Sequence, residues 1–209
     1  MTTIEIPLDE FTVRALHWGP DDGPLAILLH GFPDSAGTWR HLGPALAARG
    51  YRVVAPYNRG YAPTDLAPDD AYQLGALVAD VIAVHEALGG DERAVIVGHD
   101  WGAMVCNGVV NHAPERFARA VIMSVPPMPA LFALRSAPPI LRQLPHSWYM
   151  SVLSVPVLSE LLGDKMIRLL WRMWAPGYEA SADRDAAIAA MPDRAHRRVD
   201  GEHLAGGVA

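Results

Sequence analysis

The chain has 209 residues, 51% of them hydrophobic and 19% charged, which is room for one domain and too apolar a composition for a disordered polymer. Seventeen Lys and Arg against 23 Asp and Glu give a net charge of −6 and no basic stripe, which argues against a nucleic-acid binder. The single cysteine, Cys106, cannot close an internal disulfide, the opening MTTIEIPLDE has no basic or apolar leader, and no apolar run reaches the roughly eighteen residues that span a bilayer. A cytoplasmic protein without membrane or nucleic-acid partners is expected.

The predicted elements alternate over residues 1–125. Phe11 to Trp18 partly alternates and ends at the turn Gly19-Pro20-Asp21-Asp22-Gly23-Pro24. Leu25 to Leu29 (LAILL) is a short apolar run, as in a strand covered on both faces. Gly37 to Arg49 reads as a helix stopped by Gly50, and Tyr51 to Pro56 as a strand. Ala71 to Leu88 carries Leu74, Leu77, Val81 and Val84 on one helical stripe. Ala94 to Val97 is a buried strand, Met104 to Asn111 a helix, and Ala118 to Val125 a sixth strand. This order predicts an α/β fold with a mainly parallel sheet between helices. From Pro126 prolines cut the chain into short amphipathic pieces, notably Leu158 to Trp174, and no strand pattern follows. Residues 126–195 are therefore expected to form a helical cap, and 196–209 a disordered tail.

The sharpest local pattern is Gly98-His99-Asp100-Trp101-Gly102, between a predicted strand and a predicted helix. Small residues two before and two after a central nucleophile mark a nucleophile elbow, a bend so tight that flanking side chains would collide. An N-cap alone would favour Asp100 but would not require the two glycines. His30-Gly31-Phe32-Pro33 ends the LAILL strand, which such a sheet places beside the elbow. The N–H groups of Phe32 and Trp101 then form an oxyanion hole, Gly31 permits the turn, and Pro33 fixes the loop, a cis bond being one means.

HGFPDSAGTWR, RGYAPTD (Arg59 to Asp65) and VGHDWGA, in that order, resemble the α/β-hydrolase superfamily and, within it, the epoxide hydrolases with an aspartate nucleophile. The similarity runs over about residues 8–195. It implies that Asp100 attacks an epoxide carbon and that the alkyl ester is then hydrolysed to a diol. Independently, no H-E-x-x-H, C-x-x-C or EF-hand spacing occurs and no G-x-G-x-x-G follows a strand, so no metal or dinucleotide cofactor is expected. RGYAPTD is implied to be structural. The family's lid tyrosine, seven residues before a proline, matches Tyr149 ahead of Pro156. A phenol there can donate its proton to the opening epoxide, and the bland alternative is an aromatic in the cap core. Phe32, Trp101, Tyr149 and Trp174 are expected to line a pocket for a small, apolar, electrophilic substrate.

His99 is expected to pack or hydrogen-bond beneath the elbow, and Cys106 to be a buried inert thiol. His17, His41, His85, His112 and His146 read as surface or cap residues. The resemblance would place an acid and a histidine on later strands, but only His196 and His203 follow, with Asp193, Asp200 and Glu202 as acids. The fold is thus expected to be truncated after its sixth strand and impaired in the hydrolytic half. The open sheet edge would then favour low stability or self-association. A haloalkane dehalogenase, or a non-catalytic binding remnant, are the alternative readings.

Overall fold

The computed structural model describes residues 1–127, 130, 137–153, 155–193 and 196. Six strands form one sheet in the order β1-β2-β4-β3-β5-β6. They are β1 (Thr2–Pro7), β2 (Thr12–Trp18), β3 (Leu25–Leu29), β4 (Arg52–Pro56), β5 (Val95–His99) and β6 (Arg119–Met123). β1 pairs β2 and β2 pairs β4 antiparallel, while β4, β3, β5 and β6 run parallel. All five residues of β3 are buried, as its uninterrupted apolar sequence requires.

Helices cover both faces of the sheet. α2 (Leu74–Ala87) and α3 (Trp101–His112) bury Leu77, Val81, Val84, Val105 and Val109 against Val13, Ile27, Leu29 and Ile96. On the opposite face Trp39, from a 3-10 turn over Ala36–Arg40, packs with Trp18, Leu28 and Val53. The single helix expected over 37–49 is divided into that turn and α1 (Leu42–Ala47). The chain is tight there: a Cβ on Gly43 would lie 2.8 Å from the Trp18 ring.

Past Pro126 the described elements are all helical: α4 (Ala137–Gln143), α5 (Trp148–Leu153), α6 (Pro156–Trp174) and α7 (Ser181–Ala189), with a 3-10 turn over Leu144–His146. Pro156 opens α6, where its missing N–H is no loss. Met166, Ile167 and Leu170 of α6 and Ala187 of α7 are buried in one cluster with Phe32, Tyr61 and Trp101 of the sheet domain. Burial of side chains this size contributes about 1.5–3 kcal/mol each, so apolar packing seats these helices over the strand ends.

The strand order itself locates a crevice. From β3 the chain goes to β4 on one side, then crosses to β5 on the other. Loops leaving the carboxyl ends of such neighbours diverge, and ligands of open α/β sheets bind in the gap. β6 pairs with β5 alone among the described strands, and its Val121 is 49% exposed. No helix among the described residues is long and apolar enough to cross a membrane.

Candidate active site

Asp100 stands at that crevice, between β5 and α3, with φ 56° and ψ −117°. A non-glycine residue rarely holds this conformation, which surrounding structure must impose. The imposing contacts are close approaches at three glycines, two of them to main-chain carbonyl oxygens. A Cβ on Gly98 would lie 2.1 Å from the Gly102 carbonyl oxygen and 2.6 Å from Cys106 Sγ. One on Gly102 would meet the Leu29 oxygen at 2.2 Å, and one on Gly31 the Asp100 Cβ at 2.4 Å. The glycine spacing in the sequence is thus the imprint of three backbones closing on one carboxylate.

Two amides converge on that carboxylate. Trp101 N–H donates to Asp100 Oδ1 at 2.7 Å and Phe32 N–H to the same oxygen at 3.0 Å. The side chain also caps α3, whose N-terminal end favours negative charge. Oδ2 accepts no hydrogen bond among the described residues. One oxygen is therefore held and the other left available.

The loop carrying Phe32 is pinned from its root. His30 is fully buried, and its Nε2 accepts from the Asn58 backbone N–H at 3.2 Å. That assigns the ring proton to Nδ1, which donates to the Gly31 carbonyl at 3.0 Å. Burial pushes the His30 pKa down to about 4, keeping the ring neutral. Asn58 Nδ2 returns a bond to the His30 carbonyl, and Tyr61 packs edge-on at 4.8 Å. The Phe32–Pro33 bond is cis.

The cap supplies the roof. Tyr149 on α5 is half-buried and packs into the cluster of Phe32 and Trp101. Burial, and then the Asp100 charge, push its phenol up to about 12, so it keeps its proton at neutral pH. Trp174 meets the Tyr149 ring edge-on at 4.9 Å but remains 44% exposed, on the rim of the cluster.

Three expectations need correction or completion. His99 does not lie beneath the elbow: it ends β5 opposite Met123 of β6 and is exposed among the described residues. His85 is not on the surface but buried, with Nε2 3.3 Å from the Asp91 carbonyl and its ring against Phe117. His196 makes a local pair with Asp193 at 2.8 Å, whereas Asp200, Glu202 and His203 lie outside the described residues. Cys106 is buried, its thiol pushed up to about 12 by burial. Arg59 of RGYAPTD is buried against Asp80 and Asp69, and Thr64 donates to the Tyr57 carbonyl at 2.7 Å, both structural ties.

Other groups at the site escaped the sequence. Asp34, the acid directly after HGFP, accepts from Ser35 N–H at 2.8 Å. Its pKa is pushed up to about 6, chiefly by burial, with Asp100 adding to the rise and Ser35, Thr38 and Arg40 opposing it. Trp171 of α6 donates its indole N–H to the Pro33 carbonyl at 2.8 Å. Arg40 grips Asp183 of α7 with both terminal nitrogens and Tyr178 with one. Trp171 and Asp183 lie 138 and 143 residues from their partners, so no local spacing announces them.

Known proteins share this fold. The family model described as alpha/beta hydrolase fold matches residues 24–196. Epoxide hydrolase B of Mycobacterium tuberculosis is 49% identical over 117 residues, covering 54% of this chain and 33% of that protein. Epoxide hydrolase A of the same organism is 44% identical over 120 residues, covering 56% and 36% respectively. The chain thus spans about a third of the length of these curated relatives. The crystal structure of epoxide hydrolase A from Mycobacterium thermoresistibile superposes with a TM-score of 0.74 at 26% identity, over 98% of this chain and 76% of that one. With its strained aspartate between two amides at the strand ends, the chain belongs to the alpha/beta hydrolase fold family and is epoxide hydrolase-like within it.

Proposed function

We propose that this chain opens small apolar epoxides through a covalent ester on Asp100. Asp100 Oδ2 attacks one epoxide carbon, the carbon–oxygen bond breaks, and the departing oxygen takes the Tyr149 phenolic proton. The products are a 2-hydroxyalkyl ester and a tyrosinate that solvent reprotonates. Oδ1 becomes the ester carbonyl oxygen, already bound by the Phe32 and Trp101 amides. When water adds to that carbonyl, charge builds on Oδ1, where an oxyanion-hole donor is typically worth about 10²–10³ in rate. Collapse releases the diol and restores the carboxylate, and the water's proton must pass to a base.

The observation carrying this reading is the split carboxylate: one oxygen on two amides, the other accepting no hydrogen bond among the described residues, at a backbone angle the packing forces. The named relatives being epoxide hydrolases supports the substrate class. Tyr149 favours an epoxide over a haloalkane, since a departing halide needs no proton. No histidine hydrogen-bonds to Asp100 among the described residues, so ester hydrolysis is read as the slow half in this chain. Incubation with styrene oxide followed by peptide mass spectrometry should show one adduct, on Asp100, persisting over many minutes. Asp100→Asn should reduce it to background. Label elsewhere, or equal label in the variant, defeats the reading; bromide release from an alkyl bromide without epoxide labelling replaces it with the dehalogenase.

A further inference from the structure

We propose that Trp171 is a positioning residue for the oxyanion hole, its hydrogen bond to the Pro33 carbonyl making the aim of the Phe32 amide depend on the seating of the cap. This rests on the proposed function in so far as Phe32 N–H acts on Asp100. The loop that carries Phe32 is held at both ends. Its root is fixed by the His30 ring on the Gly31 carbonyl, and its far end by Ser35, whose hydroxyl accepts from Gly37 N–H at 3.3 Å. Between them the Phe32 N–H is committed to Asp100, and Pro33 has no N–H to offer. A neighbour must therefore grip this stretch by a carbonyl, and Trp171 takes that of Pro33 from 138 residues away.

The grip comes from a well-anchored element. Met166, Ile167 and Leu170 precede Trp171 on the same stripe of α6 and are buried with Phe32 and Trp101. The indole thus joins the apolar seat of the cap to the backbone immediately after the catalytic amide. Two further ties bring the cap's C-terminal part to the sheet domain: Arg40 on Asp183, and the Ala62 N–H donating to the Ala190 carbonyl at 2.8 Å. Only the Trp171 bond lands within two residues of an oxyanion donor. A half-buried indole N–H needs an acceptor in any case, so the test must separate positioning from mere satisfaction.

The discriminating change removes the donor and nothing else. Replacing Trp171 by its benzothiophene isostere keeps the ring's shape, and Trp171→Phe serves as the simpler companion. Two quantities are read in the folded chain: hydrogen exchange at the Phe32 amide, and the rate at which the Asp100 ester formed by styrene oxide decays, the concentration dependence of its formation serving as the control. Positioning requires Phe32 exchange to quicken and decay of the Asp100 ester to slow by roughly three- to tenfold, the worth of one neutral hydrogen bond. The half-saturating epoxide concentration should hold, because the pocket is unchanged. Where the parent chain labels, either readout staying at its parent value in the isostere overturns the inference. If the parent itself takes up no epoxide, the proposed function falls, and Phe32 exchange alone decides for or against Trp171.

Discussion

Around Asp100 the backbones of β3, β5 and α3 approach so closely that a Cβ on Gly98, Gly102 or Gly31 would overlap a neighbouring atom at 2.1–2.4 Å. The cap meets the same site differently, through the apolar side chains of α6 and α7 and a few polar ties such as Trp171 to Pro33 and Arg40 to Asp183. The two walls are therefore constrained in different currencies. Close backbone approach fixes the Asp100 carboxylate and its two amides, while the roof is held by side chains, which can repack. The proposed chemistry, which holds one carboxylate oxygen still and admits apolar molecules, would use both.

The most damaging intervention on the rigid wall is Gly98→Ala. The added methyl meets a carbonyl oxygen and a buried sulfur, neither of which can retreat without moving α3. Urea denaturation should show a loss of about 3 kcal/mol or more, the range of severe overpacking. Loss of less than about 1 kcal/mol would mean that the elbow yields, and that its rigidity is overstated.

The same contrast explains what could be read from the sequence. The elbow and the HGFP turn were legible because their steric demands fall on residues within two or three positions of one another. The buried strands β3 and β5 were legible because strands covered on both faces are continuously apolar. β1 was not read: only Ile4 and Ile6 mark it, and it exists by pairing with β2. His99 was misplaced because its cover was inferred from the motif, whereas burial at the end of β5 depends on what adjoins β6. Trp171, Asp34 and Asp183 were invisible as site residues because their roles arise only when distant segments meet.

A second intervention acts on the loop between the two walls, where buried His30 and partly buried Asp34 oppose each other in pH. Burial lowers His30 from 6.5 to about 4. Across that window the unfolded chain binds a proton that the folded chain refuses, so His30 makes stability fall as pH drops, by on the order of 3 kcal/mol over the full span. Asp34 is raised from 3.8 to about 6, so the folded chain keeps a proton the unfolded chain has shed. Its effect has the other sign: stability falls as pH rises through the window and levels off above it. Asp34→Asn should remove that penalty, stabilising the chain at pH 7 by on the order of 1 kcal/mol and steepening the acid-side loss left to His30. Melting temperatures taken from pH 4 to pH 7.5 check this, and parallel profiles for parent and variant would refute it.

The smallest effect is expected where the adaptable wall is tied down. Asp183→Asn weakens the grip of Arg40 on α7, in a pair whose side chains are 11% and 36% exposed. Half-exposed ion pairs contribute little, so global stability should drop by about 1 kcal/mol or less. Its local signature should be clearer: amide exchange along Ser181–Ala189 quickens while exchange at Trp101 and its neighbours in the elbow stays constant. The double variant Gly98→Ala/Asp183→Asn then tests whether the walls are separate at all. Substitutions with no shared partner add to within about 0.5 kcal/mol, and those transmitted through one structure do not. Additive losses would place the Arg40 tie outside the elbow's cooperative unit. A coupling larger than that would show main chain and cap yielding together, and would extend to the Arg40–Asp183 pair the influence argued above for Trp171.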